Sequence, residues 1–400
     1  MKILLSNKFF YPRGGDCIHT IQLKQLLEGQ GHEVAVFSMQ FPENLNNTYT
    51  KYWPSEVNFG SKAPFKLLSA VRRPFGVNEV KAKWNKLLKD FQPDIVHLHN
   101  IHSQLSPLIA QEAKKQNIPV IWTLHDYKLL CPAYTFMDNN GKVCEDCLQA
   151  PKAVIKKQCI KGSKLASYLG YFEAKKWNKE KLQFYTDSFI SPSKFLKGKM
   201  EQGGYPANQI AHIYNFADDN KFNSKVVTLR KNEIVYVGRL SKEKGVETLC
   251  KAFQGIKDST LTIIGDGPLK VELAKKYASS SISFIGFQPW PVIKEKLGNA
   301  AFLVIPSEWY ENNPLTIIEA LALGTPVLGA NIGGIPELVT SNNGKLFESG
   351  NPVNLTQKIE EMTKTVSWDY KLISQEAKEK FSSGKYYETL IDLYKKFTTK

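Results

Sequence analysis

Residues 302–329 read FLVIPSEWYENNPLTIIEALALGTPVLG, and this stretch decides the fold. The apolar runs at its two ends are typical of buried β-strands. Between them a short helix is predicted from Pro314 to Leu323, because Asn313 is a good N-cap, Pro314 suits the first helical position and Gly324 suits the position just past the end. Strand, helix and strand in this order form the repeating unit of a parallel sheet that is covered by helices.

The same alternation of short apolar runs and longer amphipathic segments recurs along the 400-residue chain. Strands are predicted at residues 2–6, 33–38, 94–99, 119–124, 188–191 and 209–214, and again at 233–237, 260–264, 283–285, 302–306 and 326–329. We therefore predict an α/β fold of two Rossmann-like, doubly wound domains that face a central cleft. Its parts are an N-terminal domain (1–217), a polar, aperiodic linker (218–232), a C-terminal domain (233–380) and a terminal helix (381–400) that packs back on the N-terminal domain.

Composition excludes a membrane-spanning protein. The chain is 42% hydrophobic and 23% charged, which is ordinary for a soluble protein, and it has no run of about 18 apolar residues. The first residues, MKILLSN, pass from a short strand into polar sequence without a signal-peptide pattern. We expect a cytoplasmic location. The net charge of +15 suits nucleic acid, an anionic membrane or a phosphorylated substrate, and does not decide among them.

Cations are concentrated in two stretches of the first half where acidic residues are sparse, at 62–89 and 152–199. In the first stretch they alternate with apolar residues between Phe65 and Phe75, a combination that can lie on an anionic bilayer at the inner face of a cell membrane. A solvated helix face over the core is the alternative interpretation. The cations of the first stretch are Lys62, Lys66, Arg72, Arg73, Lys81, Lys83, Lys86 and Lys89.

The loop and helix that follow strand 302–306 carry a candidate donor site, because ligands of doubly wound sheets bind beyond the carboxyl ends of the strands. The first helical turn leaves the N–H groups of Leu315 and Thr316 unpaired at the positive end of the helix dipole, which suits a diphosphate. Glu311 precedes this turn and Glu319 lies in the second turn. Both carboxylates can therefore accept hydroxyl hydrogen bonds near one bound phosphate ester.

Two other strand ends add cations and glycines. Strand 233–237 leads into a loop with Arg239 and Lys244. The planar guanidinium group of Arg and the flexible ammonium group of Lys can together neutralise a departing diphosphate. Gly14 and Gly15 follow the first strand and allow close approach of backbone to a phosphate. Each feature is weak alone, but their joint occurrence at successive strand ends favours one functional site.

These segments resemble the retaining glycosyltransferases of the GT-B fold, family four (glycosyl transferases group 1), over nearly the whole chain. One position departs from the pattern: many members have Gly where this chain has Pro314, so the sugar selectivity of those relatives is not carried over. The matching segments are Gly14-Gly15, GHEV (31–34), TLHD (123–126), SPS (191–193), Asn215, VGRL (237–240) with Lys244-Gly245, GDGP (265–268), Glu311 with Glu319, and GTPV (324–327).

The resemblance implies a role for each candidate residue. Glu319 would hold the ribose, and Arg239 and Lys244 the diphosphate. Glu311 would contact the donor sugar, and His125 would lie near the transferred hexose. It also implies front-face attack, in which the leaving phosphate takes the acceptor proton and no metal cofactor is required.

The expected activity is that of a hexosyltransferase, which uses a UDP- or GDP-linked donor and a lipid-linked glycan acceptor. Bacterial surface polysaccharide assembly (O-antigen, capsule or lipopolysaccharide) is the expected setting, with an anionic membrane surface as partner and no nucleic acid. Two alternatives are a GT-B sugar-nucleotide epimerase and a non-catalytic protein that binds a nucleotide sugar or nucleic acid.

Four cysteines, Cys131, Cys144, Cys147 and Cys159, lie in a loop-rich insertion near residues 131–159 of the N-terminal domain. The two residues between Cys144 and Cys147 give the spacing of a metal-ligand pair, and four thiolates would satisfy a closed structural zinc site. Free or redox-active thiols are the alternative.

Overall fold

The computed structural model describes residues 1–59, 64–219, 225–364 and 368–398. The chain divides into two compact units. The N-terminal unit comprises Met1–Tyr214 with Tyr387–Lys400, and the C-terminal unit comprises Asn215–Tyr386. Among the described residues, no helix is long and apolar enough to cross a membrane.

The N-terminal unit is built on a six-stranded parallel sheet of order β2-β1-β3-β4-β5-β6. Its first five strands are buried along nearly their whole length, as expected for a sheet covered by helices, whereas the last strand, Ile210–His212, is only partly buried. The elements up to residue 212 are β1 (Lys2–Ser6), α1 (Gly15–Gly29), β2 (Glu33–Phe37), α2 (Pro64–Arg72), α3 (Asn78–Phe91), β3 (Ile95–Leu98), α4 (Leu108–Lys115), β4 (Val120–Thr123), α5 (Ala153–Lys156), α6 (Lys164–Lys176), α7 (Lys179–Tyr185), β5 (Ser188–Ser191), α8 (Lys194–Gln202) and β6 (Ile210–His212).

The C-terminal unit has a second parallel sheet of order β12-β11-β10-β7-β8-β9. The strand order reverses between β10 and β7, which are neighbours, so the carboxyl ends of these two strands mark the topological switch point. The elements are β7 (Glu233–Val237), α9 (Val246–Phe253), β8 (Thr260–Ile264), α10 (Lys270–Tyr277), β9 (Ile282–Gly286), α11 (Trp290–Asn299), β10 (Phe302–Ile305), α12 (Leu315–Ala322), β11 (Val327–Ala330), β12 (Gly344–Phe347), α13 (Pro352–Lys364) and α14 (Tyr370–Phe381).

The last helix, α15 (Ser383–Thr398), contributes its residues from Tyr387 onward to the N-terminal unit. Tyr394 is fully buried, and its hydroxyl group lies 2.5 Å from Nδ1 of His97 in β3. The Tyr387 hydroxyl group lies 2.9 Å from Nε2 of His32. A buried hydrogen bond and a peripheral one therefore attach this helix to the N-terminal unit.

The predicted α/β fold of two Rossmann-like units is confirmed. Each predicted strand is present, with ends that differ from the prediction by at most about two residues. The sequence-based prediction missed β12, whose four residues GKLF are bounded by Asn343 and Glu348 and are only partly buried. A short half-buried edge strand has neither the length nor the continuous apolar run that marks the central strands.

Candidate functional site

The switch point of the C-terminal unit brings the loops after β7 and β10 together. The N–H group of Glu308 donates to the carbonyl of Glu243 at 2.9 Å, which ties one loop to the other. Gly245 has φ +66° at the closest approach, where a Cβ atom would lie 1.8 Å from the carbonyl oxygen of Pro306. Only glycine fits there. This close contact places the neighbouring Lys244 beside the loop that carries Glu311.

Lys244 and Glu311 form an ion pair, with Nζ 2.7 Å from Oε1. Ser307 Oγ and Trp309 Nε1 donate to the same oxygen at 2.7 and 2.9 Å. The ammonium group also lies 5.0 Å from the centre of the Trp309 ring. Burial alone would raise the pKa of Glu311, but Lys244 and the two neutral donors outweigh it and hold that pKa below its ordinary value. The carboxylate is therefore ionised at neutral pH.

The second carboxylate oxygen of Glu311 remains available to a ligand. Its Oε2 accepts no hydrogen bond from any residue in the described part of the chain. The backbone is fixed as well: the N–H group of Gly334 donates to the Glu311 carbonyl at 2.7 Å, and Gly333 adopts φ +60° where a Cβ atom would overlap that carbonyl. A rigid, ionised acceptor of this kind suits a sugar hydroxyl group.

Arg239 lies on the same side of the sheet, directly after β7. Its side chain is exposed, and its guanidinium group forms no ion pair with a residue that the structure describes. The Arg239 carbonyl accepts a hydrogen bond from Tyr236 Oη at 2.9 Å. The loop also packs tightly on the GDGP segment, because a Cβ atom at Gly267 would lie 2.4 Å from the carbonyl oxygen of Leu240. The backbone beside Arg239 is thus fixed while its charge is free for an anion.

Helix α12, which follows the loop that carries Glu311, begins one residue later than predicted. The N-cap position of α12 is Pro314 and its first residue is Leu315, with no side-chain cap. Asn313 was predicted as the N-cap, which is wrong because its Oδ1 accepts instead from the N–H group of Asn215 at 2.9 Å. The N–H groups of Leu315 and Thr316 form no hydrogen bond within the described residues. The anion-binding character of the helix start is therefore retained.

Glu319 lies in the second turn of α12 and is half-buried, at the position that the sequence predicts. In the N-terminal unit, Gly15 begins the 15-residue helix α1 directly after an extended Gly14. A Cβ atom at Gly15 would meet nothing within 4 Å, so packing does not require glycine there. The structure thus brings Lys244 and Glu311 into contact and leaves Glu319 on its predicted helix, whereas Gly15, predicted in a loop, is the first residue of α1.

His125 follows β4 and belongs to a group of four histidines that the sequence analysis did not identify. Its Nε2 lies 3.0 Å from Nδ1 of His99, and its ring also packs against His19. His97 stacks on His99 at 4.4 Å. Burial lowers the pKa of His125 to about 4 and that of His97 to about 3, so these imidazoles are neutral at pH 7. The alternation in VHLHN (96–100) puts His97 in β3 and His99 directly after it on the same face, which is a signal that the sequence contained.

The four cysteines of the insertion are free thiols in a segment with little regular structure. Cys131 and Cys147 share a hydrogen bond, which lowers the pKa of the Cys131 thiol and raises that of the Cys147 thiol. Cys144 Sγ accepts from Lys157 Nζ at 3.2 Å. Within the described residues no three His, Cys, Asp or Glu side chains are arranged to hold a metal ion. Zinc binding would require the thiols to lose their protons and turn toward one point, so it stays a prediction.

We expect metal analysis of protein purified without chelators to find about one zinc per chain. The double variant Cys144→Ser/Cys147→Ser should lose this metal, because it removes the ligand pair. Cys250→Ser is the matched control, since Cys250 is buried on α9 in the C-terminal unit and should leave the metal content unchanged. Metal-free wild-type protein with full activity would show that the insertion is held by its thiols and packing alone.

The first basic segment is only partly on the surface. Arg73 was predicted as a surface cation, but it is 1% exposed and paired with Glu79 at 3.0 Å, because the chain turns inward after α2. Lys62 and the side chains of Phe65 and Lys66 lie outside the described residues. Exposed apolar side chains on α2 are Leu67, Leu68 and Val71.

Helix α6 carries a second exposed apolar face that the sequence analysis did not single out. Leu165, Tyr168 and Phe172 are 81%, 41% and 48% exposed and recur with helical spacing. The exposed Lys164 and Lys175 lie on the same helix. The segment after α2 contacts the end of α6, where Trp177 Nε1 donates to the carbonyl of Pro74 at 2.8 Å. The two exposed faces therefore belong to neighbouring elements of one unit.

Comparison with known proteins gives two family matches that together span most of the chain. The model described as Glycosyltransferase Family 4 matches residues 13–221, and the model described as Glycosyl transferases group 1 matches residues 218–379. A protein of Klebsiella pneumoniae, called an uncharacterized 42.6 kDa protein in the cps region, is 25% identical over 357 residues. That match covers 84% of this chain and 87% of the relative.

Two solved structures resemble the chain along nearly its whole length. Sucrose-phosphate synthase from Thermosynechococcus elongatus has a TM-score of 0.75 at 18% identity, and the match covers 100% of this chain and 99% of that one. Alr3699/HepE from Anabaena, in complex with UDP and glucose, has a TM-score of 0.67 at 17% identity and covers 98% and 99%. At these identities the likeness shows the shared fold, which is GT-B.

Proposed function

Since the chain belongs to glycosyltransferase family 4 and is a transferase enzyme, we propose that it transfers a hexose from a UDP- or GDP-linked donor to a lipid-linked glycan, with retention of the anomeric configuration. The observation that carries the proposal is the switch point of the C-terminal unit. There Lys244 holds the ionised Glu311, the exposed Arg239 follows the neighbouring strand, and the first N–H groups of α12 form no hydrogen bond among the residues that the structure describes. These groups suit a diphosphate and a sugar hydroxyl group.

In the proposed reaction the departing nucleoside diphosphate develops negative charge as the sugar becomes oxocarbenium-like. Arg239 and Lys244 neutralise the diphosphate, and the N–H groups of Leu315 and Thr316 add the helix dipole. The acceptor oxygen attacks the anomeric carbon from the face that the phosphate leaves. The acceptor hydroxyl proton passes to that phosphate oxygen. This scheme requires no metal cofactor.

The remaining assignments follow the family resemblance. Glu311 accepts a hydrogen bond from a hydroxyl group of the donor sugar, and Glu319 accepts from the ribose. His125 contacts the transferred hexose as a neutral imidazole through Nδ1, because its Nε2 already lies 3.0 Å from Nδ1 of His99. Gly15 leaves room for a ligand at the start of α1, because no atom occupies the position of its missing side chain.

A thermal-shift screen over UDP- and GDP-linked hexoses tests the donor assignment, because a ligand bound only to the folded state raises the melting temperature. Proton NMR of the donor after incubation without acceptor then separates the alternatives, because epimers have the same mass but different spectra. A changed hexose still linked to the nucleotide would indicate an epimerase. Binding without turnover in the presence of lipid-linked acceptors would indicate a non-catalytic protein, and either result contradicts transfer.

We place the reaction in bacterial surface polysaccharide synthesis, of the O-antigen, capsule or lipopolysaccharide type. Support comes from the Klebsiella relative, which is named after the cps region. In the same proposal the enzyme works in the cytoplasm and binds the anionic inner face of the cell membrane through the N-terminal unit. The exposed apolar faces of α2 and α6 and their flanking lysines support this, because apolar residues can enter the headgroup region while the cations contact anionic lipid.

The membrane proposal predicts salt-dependent sedimentation with anionic liposomes. Each Lys or Arg near such a surface contributes about 1 kcal/mol, so binding should weaken as added salt shortens the Debye length. The variant Leu165→Ser/Phe172→Ser should bind less well at every salt concentration. Val271→Ser/Phe287→Ser removes apolar side chains that are at least as exposed (81% and 76%) from the C-terminal unit and serves as the control. Equal losses in both variants, or binding that is indifferent to lipid charge, would contradict the proposal.

A further inference from the structure

The N-terminal unit contains a cavity of about 580 Å³ that the donor site does not use. It lies beyond the carboxyl ends of β3 and β4, where ligands of doubly wound sheets bind, and His102 and Lys128 follow those two strands. Residues 147–152 of the cysteine-containing insertion form another part of its lining. Helix α6 contributes Tyr171 and Lys175. The volume is within the range of small-molecule sites.

One wall of the cavity carries a buried ion pair whose charges cancel. Lys128 Nζ lies 2.9 Å from Glu173 Oε2, and the two side chains are 11% and 7% exposed. Lys128 also donates to the carbonyl of Pro132 at 2.8 Å, and Ser103 Oγ donates to Glu173 Oε1 at 3.0 Å. This wall is satisfied by its own contacts and needs no ligand.

The other charges of the cavity are mostly positive and unpaired. Lys152, Lys175 and Lys179 line it, and none of them forms an ion pair with a residue in the described ranges. Glu180, which is exposed, is the acidic lining residue outside the Lys128–Glu173 pair. Three cations against one carboxylate favour an anionic ligand.

A polar group without a partner points to a ligand in the same place. Tyr205 lines the cavity and is 3% exposed, and its hydroxyl group is buried without a hydrogen-bond partner among the described residues. A buried hydroxyl group in this state costs about 1–3 kcal/mol of stability unless a ligand or an ordered water satisfies it. An oxygen of a bound anion would supply the missing acceptor.

Helix α6 borders both the cavity and the exposed apolar face that contains Leu165 and Phe172. Tyr171 and Lys175 face the cavity, whereas Leu165 and Phe172 are exposed on the outside of the same helix. A molecule with a phosphate at one end and hydrocarbon at the other matches both faces. We propose that the cavity binds the phosphate or diphosphate of the lipid-linked acceptor, with its hydrocarbon chain in the bilayer beside α6. This inference rests on the proposed function and names the acceptor site.

Isothermal titration with farnesyl diphosphate, a short prenyl diphosphate, tests the proposal directly. We expect the variant Lys175→Met/Lys179→Met to bind it at least about 10-fold more weakly, which corresponds to about 1.4 kcal/mol. Lys51→Met removes an exposed lysine of the N-terminal unit that lies outside both the cavity and the two basic stretches, and it should bind like wild type. Tyr205→Phe should weaken binding while leaving the melting temperature unchanged or higher, because it removes an unsatisfied buried hydroxyl group.

Comparison ligands show whether the cavity recognises the diphosphate of a lipid or free diphosphate. Inorganic diphosphate should bind more weakly than farnesyl diphosphate; equal affinity would overturn the lipid assignment. Equal affinity of the Lys175/Lys179 and Lys51 variants would overturn the cavity as the site. The titrations contain no nucleotide sugar, so they are separate from the donor experiments. Failure of every donor to turn over contradicts the proposed function, whereas failure of these titrations contradicts the acceptor site.

Discussion

Replacing Lys244 by Met is expected to lower sugar transfer at least about 10²-fold, which is the scale for losing one preorganised group that stabilises transition-state charge. The same change leaves the carboxylate of Glu311 buried without its cation, which should lower the free energy of unfolding by about 3–5 kcal/mol. The Glu311 side chain is 9% exposed, so water cannot replace the lost partner fully. Turnover and urea unfolding, measured on the same preparations, check both parts.

Two further variants separate catalysis from stability. Lys244→Met/Glu311→Gln should recover most of the lost stability, because no buried charge remains unpaired, but it should recover no activity. Arg239→Ala should lower turnover about 10²-fold while changing stability by no more than about 0.5 kcal/mol, because its guanidinium group is exposed and unpaired among the described residues. Full turnover in both Lys244→Met and Arg239→Ala would contradict the diphosphate assignment.

The matched control for Lys244 is Lys251, an exposed lysine of α9. Its ion pair with Glu247 is longer, at 3.3 Å, and the two side chains are 50% and 41% exposed. An exposed pair of this kind contributes about 0–1 kcal/mol. Lys251→Met should therefore leave turnover and stability near the wild-type values. If it lowered turnover as much as Lys244→Met does, the effect would come from removing any nearby positive charge and not from Lys244 in particular.

The fold could be predicted because the buried strands are continuous apolar runs between turn residues. Strands such as FLVI at Phe302–Ile305 are fully buried, because helices cover both faces of a parallel sheet, and every residue of FLVI is therefore apolar. Strand β12 escaped prediction, since its four residues GKLF contain only two consecutive apolar side chains and are only partly buried. Local pattern therefore predicts long apolar strands better than short, partly buried ones.

The candidate site could be predicted only as a set of residues at strand ends. Their pairing depends on strand order, which local sequence does not contain: Lys244 meets Glu311 because β7 and β10 are neighbours, although they are separated by β8 and β9 in the chain. The prediction of Asn313 as the N-cap of α12 failed for a similar reason. Asn313 forms a long-range hydrogen bond to Asn215 that outweighs its local capping preference.

The N-terminal unit is expected to lose stability between pH 6.5 and 4.5, whereas the C-terminal unit is expected to be nearly insensitive in this range. All seven histidines of the sequence lie in residues 1–214. His19, His97 and His99 are at most 1% exposed, and burial lowers the pKa of each below the ordinary 6.5, to about 3 for His97. In the unfolded chain these imidazoles take up protons near pH 6.5, while in the folded unit they stay neutral.

The sign follows from proton linkage. Below pH 6.5 the unfolded state binds more protons than the folded one, so stability falls as the pH falls, by up to about 1.4 kcal/mol per pH unit for each buried histidine. Carboxylates with a lowered pKa, such as Glu311 in the C-terminal unit, also stabilise the folded state. This contribution is lost mainly when the pH falls below their ordinary pKa of 4.5. In the N-terminal unit, burial raises the pKa of Asp126, which opposes this trend because that carboxyl group takes up a proton in the folded unit first. The buried histidines therefore set the net fall in stability between pH 6.5 and 4.5.

Hydrogen exchange with mass-spectrometric detection, corrected for the intrinsic pH dependence of exchange, can follow each unit separately. Amides of residues 1–214 should lose protection on going from pH 7 to pH 5, and those of 215–386 should not. His97→Asn should reduce the pH slope of the N-terminal unit by up to about 1.4 kcal/mol per unit, even if the variant is less stable at every pH. The slope is therefore the decisive readout, because lost packing alone shifts stability equally at all pH values. An unchanged slope would mean that His97 is protonated alike in the folded and unfolded states.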